Sequence, residues 1–226
     1  MAQPHRVTAR SELRSETAVS LPADGPVAAP DVMKTVAMAV SRTPLYDRWS
    51  TVANAPVPDR PEVAELLRQM RGQSRLRQLD IANRWMNHRL EFASDQQVYG
   101  DADHWAPLAE SLRRGRGDCG DYAVGKMQLL RAAGVPVKDM YLLLARDLVR
   151  RTDHALLVVR LDSQYMVLDS RNDLLLTDLE VRAYQPVMSF SGDQSWLHGL
   201  KQAPVAMVAS REPANIHDAA PNVLTR

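Results

Sequence analysis

The chain holds a single cysteine, Cys119, within Gly115-Arg116-Gly117-Asp118-Cys119-Gly120-Asp121-Tyr122-Ala123. It heads an apolar-periodic stretch that Gly134 and Pro136 close. Asp118 or Gly117 can cap a helix at this point, which puts Cys119 in the first turn. There the unpaired backbone N–H groups and the positive end of the helix dipole favour an anion. A thiolate is such an anion, so the placement predicts a thiol pKa below the free value of about 8.5 and a nucleophile at neutral pH. The structural alternative is a small buried apolar residue, a common role for a lone cysteine. A cysteine nucleophile needs a base, and the base needs a group to orient it. Of the six histidines, His5 and His217 lie near the ends, His88 falls mid-helix beside Arg89, and His104 and His198 are expected in loops. His154 opens the strand-like run HALLVVRL, and the next run, QYMVLDS, ends on Asp169 and Ser170. If Asp162 and Ser163 make a two-residue turn, Asp169 lies opposite Leu156, and His154 shares the face of Leu156. His154 and Asp169 are then diagonal neighbours, roughly 7–8 Å apart at Cα and within side-chain reach. A three-residue turn would put them on opposite faces. Taken singly, His154 also reads as a structural residue at a strand end and Asp169 as turn chemistry.

The elements that must position these residues follow from pattern. PEVAELLRQMRG has Pro61 where a helix starts and Gly72 where it ends. Over 74–93, Leu76, Leu79, Ala82, Trp85, Met86 and Leu90 recur at helical spacing. Residues 99–107 read as a loop rich in Gly, Asp and aromatics. The helix headed by Cys119 should bury Tyr122, Ala123, Met127, Leu130 and Ala133. After it the period changes to that of strands in MYLLLA, HALLVVRL and QYMVLDS. Helices followed by strands predict an α+β fold, N-terminal helices before an antiparallel sheet.

Composition sets outer bounds. The 226 residues are 45% hydrophobic with a formal net charge of +1, enough for one sizeable core and too balanced for a nucleic-acid or membrane field. No apolar run is long enough to span a bilayer. One cysteine rules out an intramolecular disulfide, and there is no CxxC pair for a zinc site. Residues 1–43 are expected to be a flexible segment, 44–208 the domain, and 209–226 a flexible tail. The polar, proline-dotted start lacks the apolar core of a secretory signal, so either the protein stays in the cytoplasm or the chain begins beyond its export signal.

YGDADHWAPLAESLRRGRGDCGDYAVGKMQLLRAAGVP, DHALLVV, MVLDS and YQPVMSFSGDQSWLHG together resemble the bacterial transglutaminase-like cysteine peptidases, in particular the LapG-type periplasmic proteases. The resemblance runs over roughly residues 44–200. It implies a papain-like or transglutaminase-like core, with Cys119 as nucleophile, His154 as base and then acid, and Asp169 orienting the imidazole. It further implies a periplasmic enzyme that clips a large surface adhesin to control biofilm attachment, held in check by an inner-membrane receptor for cyclic di-GMP. An acyltransferase or amidase would use the same triad, and a non-catalytic binding module could use the same fold without it. Trp105 offers an indole N–H as a second oxyanion donor, though a loop-anchor role suits it better. Asp95, Asp101, Asp103, Asp118 and Asp121 form an acidic scatter that could supply oxygen ligands to calcium, or equally act as caps and turn residues. The family carries an acidic residue directly after the nucleophile, in the pattern Asp-Cys-Glu-Asp-Tyr, and binds calcium there. Here Asp118 and Asp121 match and Gly120 does not, so calcium is expected to bind weakly or be dispensable unless Asp103 or another loop oxygen substitutes.

Overall fold

The computed structural model describes residues 27–200, apart from residue 42 and residues 101–102. In chain order the elements are β1 (Thr35–Val40), α1 (Tyr46–Ala53), α2 (Pro61–Met70), α3 (Arg75–Arg89), β2 (Glu91–Phe92), α4 (Asp95–Val98), α5 (Leu108–Arg114), β3 (Arg116–Gly117) and α6 (Cys119–Ala132). There follow β4 (Met140–Asp147), β5 (Thr152–Leu161), β6 (Gln164–Asp169), β7 (Asn172–Thr177), β8 (Tyr184–Ser191) and β9 (Gln194–Leu200). Local chemistry sets the helix boundaries. Pro61 occupies the first turn of α2, and the Ser74 hydroxyl accepts the Arg77 N–H at the start of α3. Gly115 closes α5 at φ 69°, a conformation that costs glycine nothing.

Seven strands form one sheet in the order β1-β9-β8-β4-β5-β6-β7, every neighbouring pair antiparallel. Alternation along the central strands divides the core in two. Leu142, Leu157, Val159 and Leu168 face the helices with Leu79, Met86, Leu129 and Leu130. Tyr141, Leu143, Leu156, Val158 and Val167 face the other way, where Val32, Met33 and Trp196 cover them. Burying both faces lets β4 and β5 read as continuous apolar runs. The α+β architecture of helices before an antiparallel sheet is as expected, with two departures: β2 and β3 pair in parallel as a small separate sheet among the helices, and β1 precedes every helix.

The second departure corrects the N-terminal boundary. The flexible segment expected over 1–43 gives way to structure well before residue 43, because Thr35–Val40 pairs along its whole length with β9. The rest of that segment, residues 1–26, and the tail expected over 209–226 lie outside the described residues, as do His5, Asp101 and His217. His198 is also not in a loop. It sits in β9, its Nδ1 2.9 Å from the Thr35 hydroxyl on β1 and its Nε2 2.9 Å from the Ser189 hydroxyl on β8. The amphipathic face expected for α6 is likewise too narrow, since every residue from Asp121 to Leu130 is buried. The helix runs between the sheet and the helices α1, α3 and α5.

Candidate active site

Cys119 is the first residue of α6, and its cap is reciprocal. The Asp118 carboxylate accepts the N–H groups of Gly120 (2.8 Å) and Asp121 (3.2 Å), while Asp121 accepts the N–H of Asp118 (3.3 Å). His154 comes from β5 and Asp169 from the end of β6. The two-residue turn forms between them, with Asp162 at φ 55°, and Leu157 pairs with Leu168. In that register His154 Nε2 lies 2.8 Å from Asp169 Oδ1, and the imidazole is fully buried. Packing of α6 on β5 brings in the thiol, whose Sγ accepts the N–H of Ala155 at 3.4 Å. Cys119 and His154 line one cavity of about 540 Å³, together with Leu45, Trp105, Leu144 and Val187. Val187 reaches it because a β-bulge opposite Leu144 and Ala145 makes it the extra residue of β8.

Two further groups hold Asp169. The Tyr184 hydroxyl donates to Oδ2 at 2.7 Å, and the Arg171 N–H donates to Oδ1 at 3.0 Å. Tyr184 also lies against the imidazole, ring centroids 5.1 Å apart. Burial works to raise the Asp169 pKa, but the bonds from His154, Tyr184 and Arg171 outweigh it and hold the carboxyl down at about 2. With a carboxylate accepting at Nε2, that nitrogen carries the ring proton, and Nδ1 is left as the basic nitrogen. Nδ1 is buried and has no hydrogen-bond partner. Tyr184 escaped the sequence reading because Pro186 two residues on argues against a strand, whereas here the proline sits beside the bulge.

The thiol differs from its expectation. Burial, and after it the Asp118 carboxylate, push Cys119 up to about 12, against the pull of the Ala155 N–H and the Arg171 charge. Desolvation, and after it the charge of the acidic cap beside the sulfur, oppose what the helix start favours. Trp105 keeps the anchor role, its Nε1–H donating to Asp103 Oδ1 at 2.9 Å while Asp103 also pairs with Arg48.

Asp95, Asp118 and Asp121 each offer a ligand oxygen, and these atoms lie within 4.8 Å of one another. Asp95 arrives from α4, far from the other two in sequence. Burial and mutual repulsion push Asp118 up to about 6 and Asp121 up to about 8. Three converging carboxylates need protons or a cation to neutralise them, and an all-oxygen set suits a hard divalent ion.

A thiol at a helix head that shares a cavity with an imidazole–carboxylate pair on an antiparallel sheet is the arrangement expected of a papain-like or transglutaminase-like thiol hydrolase. The model of the bacterial transglutaminase-like cysteine proteinases matches residues 60–198, so this chain belongs to that family and is a cysteine peptidase. Among solved structures it is similar to Legionella pneumophila LapG, 24% identical with a TM-score of 0.56 over 67% of this chain and 87% of that one. A calcium-bound form of LapG matches with the same values. An EGTA-treated form matches with the same identity and TM-score over 84% of its length. At this identity the likeness speaks to the fold. No curated protein matches the chain.

Proposed function

We propose that the protein is an endopeptidase in which Cys119, His154 and Asp169 carry out acyl transfer. The observation that carries this reading is the thiol against the amide of Ala155, next in the chain to His154, whose imidazole lines the same cavity and is bonded through Nε2 to a buried carboxylate. His154 Nδ1 takes the thiol proton as Sγ attacks the peptide carbonyl. It then passes that proton to the leaving amine as the C–N bond breaks, leaving a thioester. Water attacks the thioester, Nδ1 takes the water proton, and the thiol is restored as the acid product leaves. Asp118 occupies the N–H groups of Gly120 and Asp121, which leaves the amide of Cys119 to bind the oxyanion. Replacing Cys119, His154 or Asp169 by alanine is expected to abolish peptide hydrolysis without unfolding the protein. The double and triple variants should be scarcely worse than Cys119→Ala. An active Cys119→Ala enzyme would sink the reading. An acyltransferase or amidase shares the first half-reaction, and membership in a proteinase family favours water as the acceptor.

The family resemblance extends the proposal to a surface adhesin as substrate, a periplasmic location, control of biofilm attachment, and an inner-membrane cyclic di-GMP receptor as the restraining partner. Among the described residues no helix is long and apolar enough to cross a membrane. The proposal also includes calcium, held by Asp95, Asp118 and Asp121. The expectation of weak binding rests on the missing carboxylate at Gly120, but Asp95 supplies a third one from another element. The ion would neutralise the cluster and tie α4 to the head of α6. Titration calorimetry should show calcium binding that Asp95→Asn weakens at least about tenfold. A chelator should lower activity, and an enzyme indifferent to both would count against the ion.

A further inference from the structure

Lysine is almost never fully buried unless it is paired. Lys126, two turns along α6 from Cys119, is fully buried, and its Nζ has no hydrogen-bond partner. Four other buried polar atoms without partners belong to the elements packed here: His154 Nδ1 on β5, Asn83 Oδ1 and Asn87 Oδ1 on α3, and Ser170 Oγ on the turn after β6. Setting aside Nδ1, the nitrogen proposed to act on the thiol, leaves three. Hydrogen bonds fix the orientation of both amides. Asn83 Nδ2 donates to the carbonyls of Asn172 and Asp173, and Asn87 Nδ2 donates to the carbonyls of Asp169 and Asn172 and to Asp173 Oδ1. Their nitrogens therefore grip the 169–173 turn, and their oxygens are left over. Lys126 senses the charges of the same turn. Burial lowers its pKa to about 7, while Asp169 and Asp173 act to raise it. The other charged groups here are His154, bonded to Asp169, Arg171 on the same turn, whose guanidinium pairs with Asp147, and Arg84 and His88, which reach Asp173 from α3.

The donors and acceptors match in number. An ammonium has three N–H groups, and two amide oxygens and a hydroxyl stand ready to accept. Left unmet, each buried polar atom keeps the full cost of its desolvation. None of the four is bonded to another directly, and a buried water typically makes about three hydrogen bonds to such groups. We propose that Lys126 is a positioning residue for the proposed triad, its ammonium joined through shared buried water to Asn83 Oδ1, Asn87 Oδ1 and Ser170 Oγ so that the turn carrying Asp169 is held in place. The network also puts a positive charge behind the His154–Asp169 pair. The proposal rests on the triad reading above.

The test is the pH profile of kcat/KM for peptide hydrolysis in wild type, Lys126→Met and Lys126→Arg, with Cys119→Ala as the control for the triad itself. Loss of a positive charge behind Asp169 makes the imidazole easier to protonate. The acid limb of Lys126→Met should therefore move to higher pH by about half a unit or more, with kcat/KM falling about tenfold. Lys126→Arg should keep the wild-type limb. A purely structural role would lower the amount of active enzyme without moving the limb, and an unmoved limb in Lys126→Met overturns the proposal. If Cys119→Ala is inactive while Lys126→Met is unchanged, only the lysine proposal fails; an active Cys119→Ala fails the triad. Should Lys126→Met not fold, a high-resolution crystal structure of the wild type decides. Ordered water bonded to Lys126 Nζ and to either asparagine oxygen is expected, and a dry pocket overturns the proposal.

Discussion

At the scale of the residue, the chemistry turns on how the Cys119 proton leaves. Burial and the Asp118 charge push the thiol up to about 12, so the sulfur does not ionise alone near neutrality. In the proposed triad the base is Nδ1 of His154: it is buried, unpartnered, lines the same cavity, and belongs to a ring whose other nitrogen faces a carboxylate held down at about 2. Under that proposal thiol reactivity depends on the imidazole more than on the helix head. Alkylation by iodoacetamide at pH 7 should be rapid in wild type and slower by about tenfold or more in His154→Ala. Equal rates in the two proteins would show that the helix head alone activates the sulfur.

At the scale of the element, the head of α6 is a close fit. A Cβ on Gly117 would lie 2.7 Å from Asp121 Cβ and 2.5 Å from its Oδ2, and a Cβ atom next to the backbone cannot swing aside. Gly117→Ala should therefore displace Asp121, break the reciprocal cap at a cost of about 1–2 kcal/mol, and pull one carboxylate out of the cluster. Gly125, on the same helix, is the contrast. Its Cβ would meet the terminal methyl of Met86 at 2.6 Å, Met86 Sδ at 3.1 Å and Leu108 Cδ1 at 3.2 Å, side-chain atoms of a packed core that must shift but leave the site's backbone alone. Melting temperature and peptidase activity measured together should show Gly117→Ala losing both and Gly125→Ala losing stability while keeping activity. The opposite order would mean that the loop before Cys119 is looser than its packing indicates.

At the scale of the whole molecule, β1 is joined to the sheet through β9, with His198 as a polar clasp across three strands. Burial of that imidazole lowers its pKa from 6.5 to about 4. In the unfolded chain the same group takes up its proton near 6.5, so between those values the unfolded state binds more protons. The contribution of His198 to stability is full above about pH 6.5 and is lost as pH falls toward 4, on the order of 2 kcal/mol in all. Melting temperatures measured across that window should decline with acid, and His198→Gln should flatten the decline. A His198→Gln protein with the wild-type slope would place the acid sensitivity elsewhere.

The sequence by itself determined what depends on near neighbours along the chain. The cap at Asp118, the helix it heads and the strands β4, β5 and β6 follow from capping chemistry and period, and the register that puts His154 against Asp169 follows once the turn has two residues, a choice the sequence left open. These are short-range properties, legible wherever side chains alternate or recur. Tertiary structure alone decided which distant groups meet at the same point. It brought Asp95 to Asp118 and Asp121, Tyr184 to Asp169, the amide nitrogens of Asn83 and Asn87 to the turn after β6, and β1 to β9. It also reversed the expected direction for the thiol, because a helix dipole can be read from position, whereas desolvation and a neighbouring carboxylate act through burial. Burial belongs to the packed molecule, where α6 is enclosed on every side from Asp121 to Leu130.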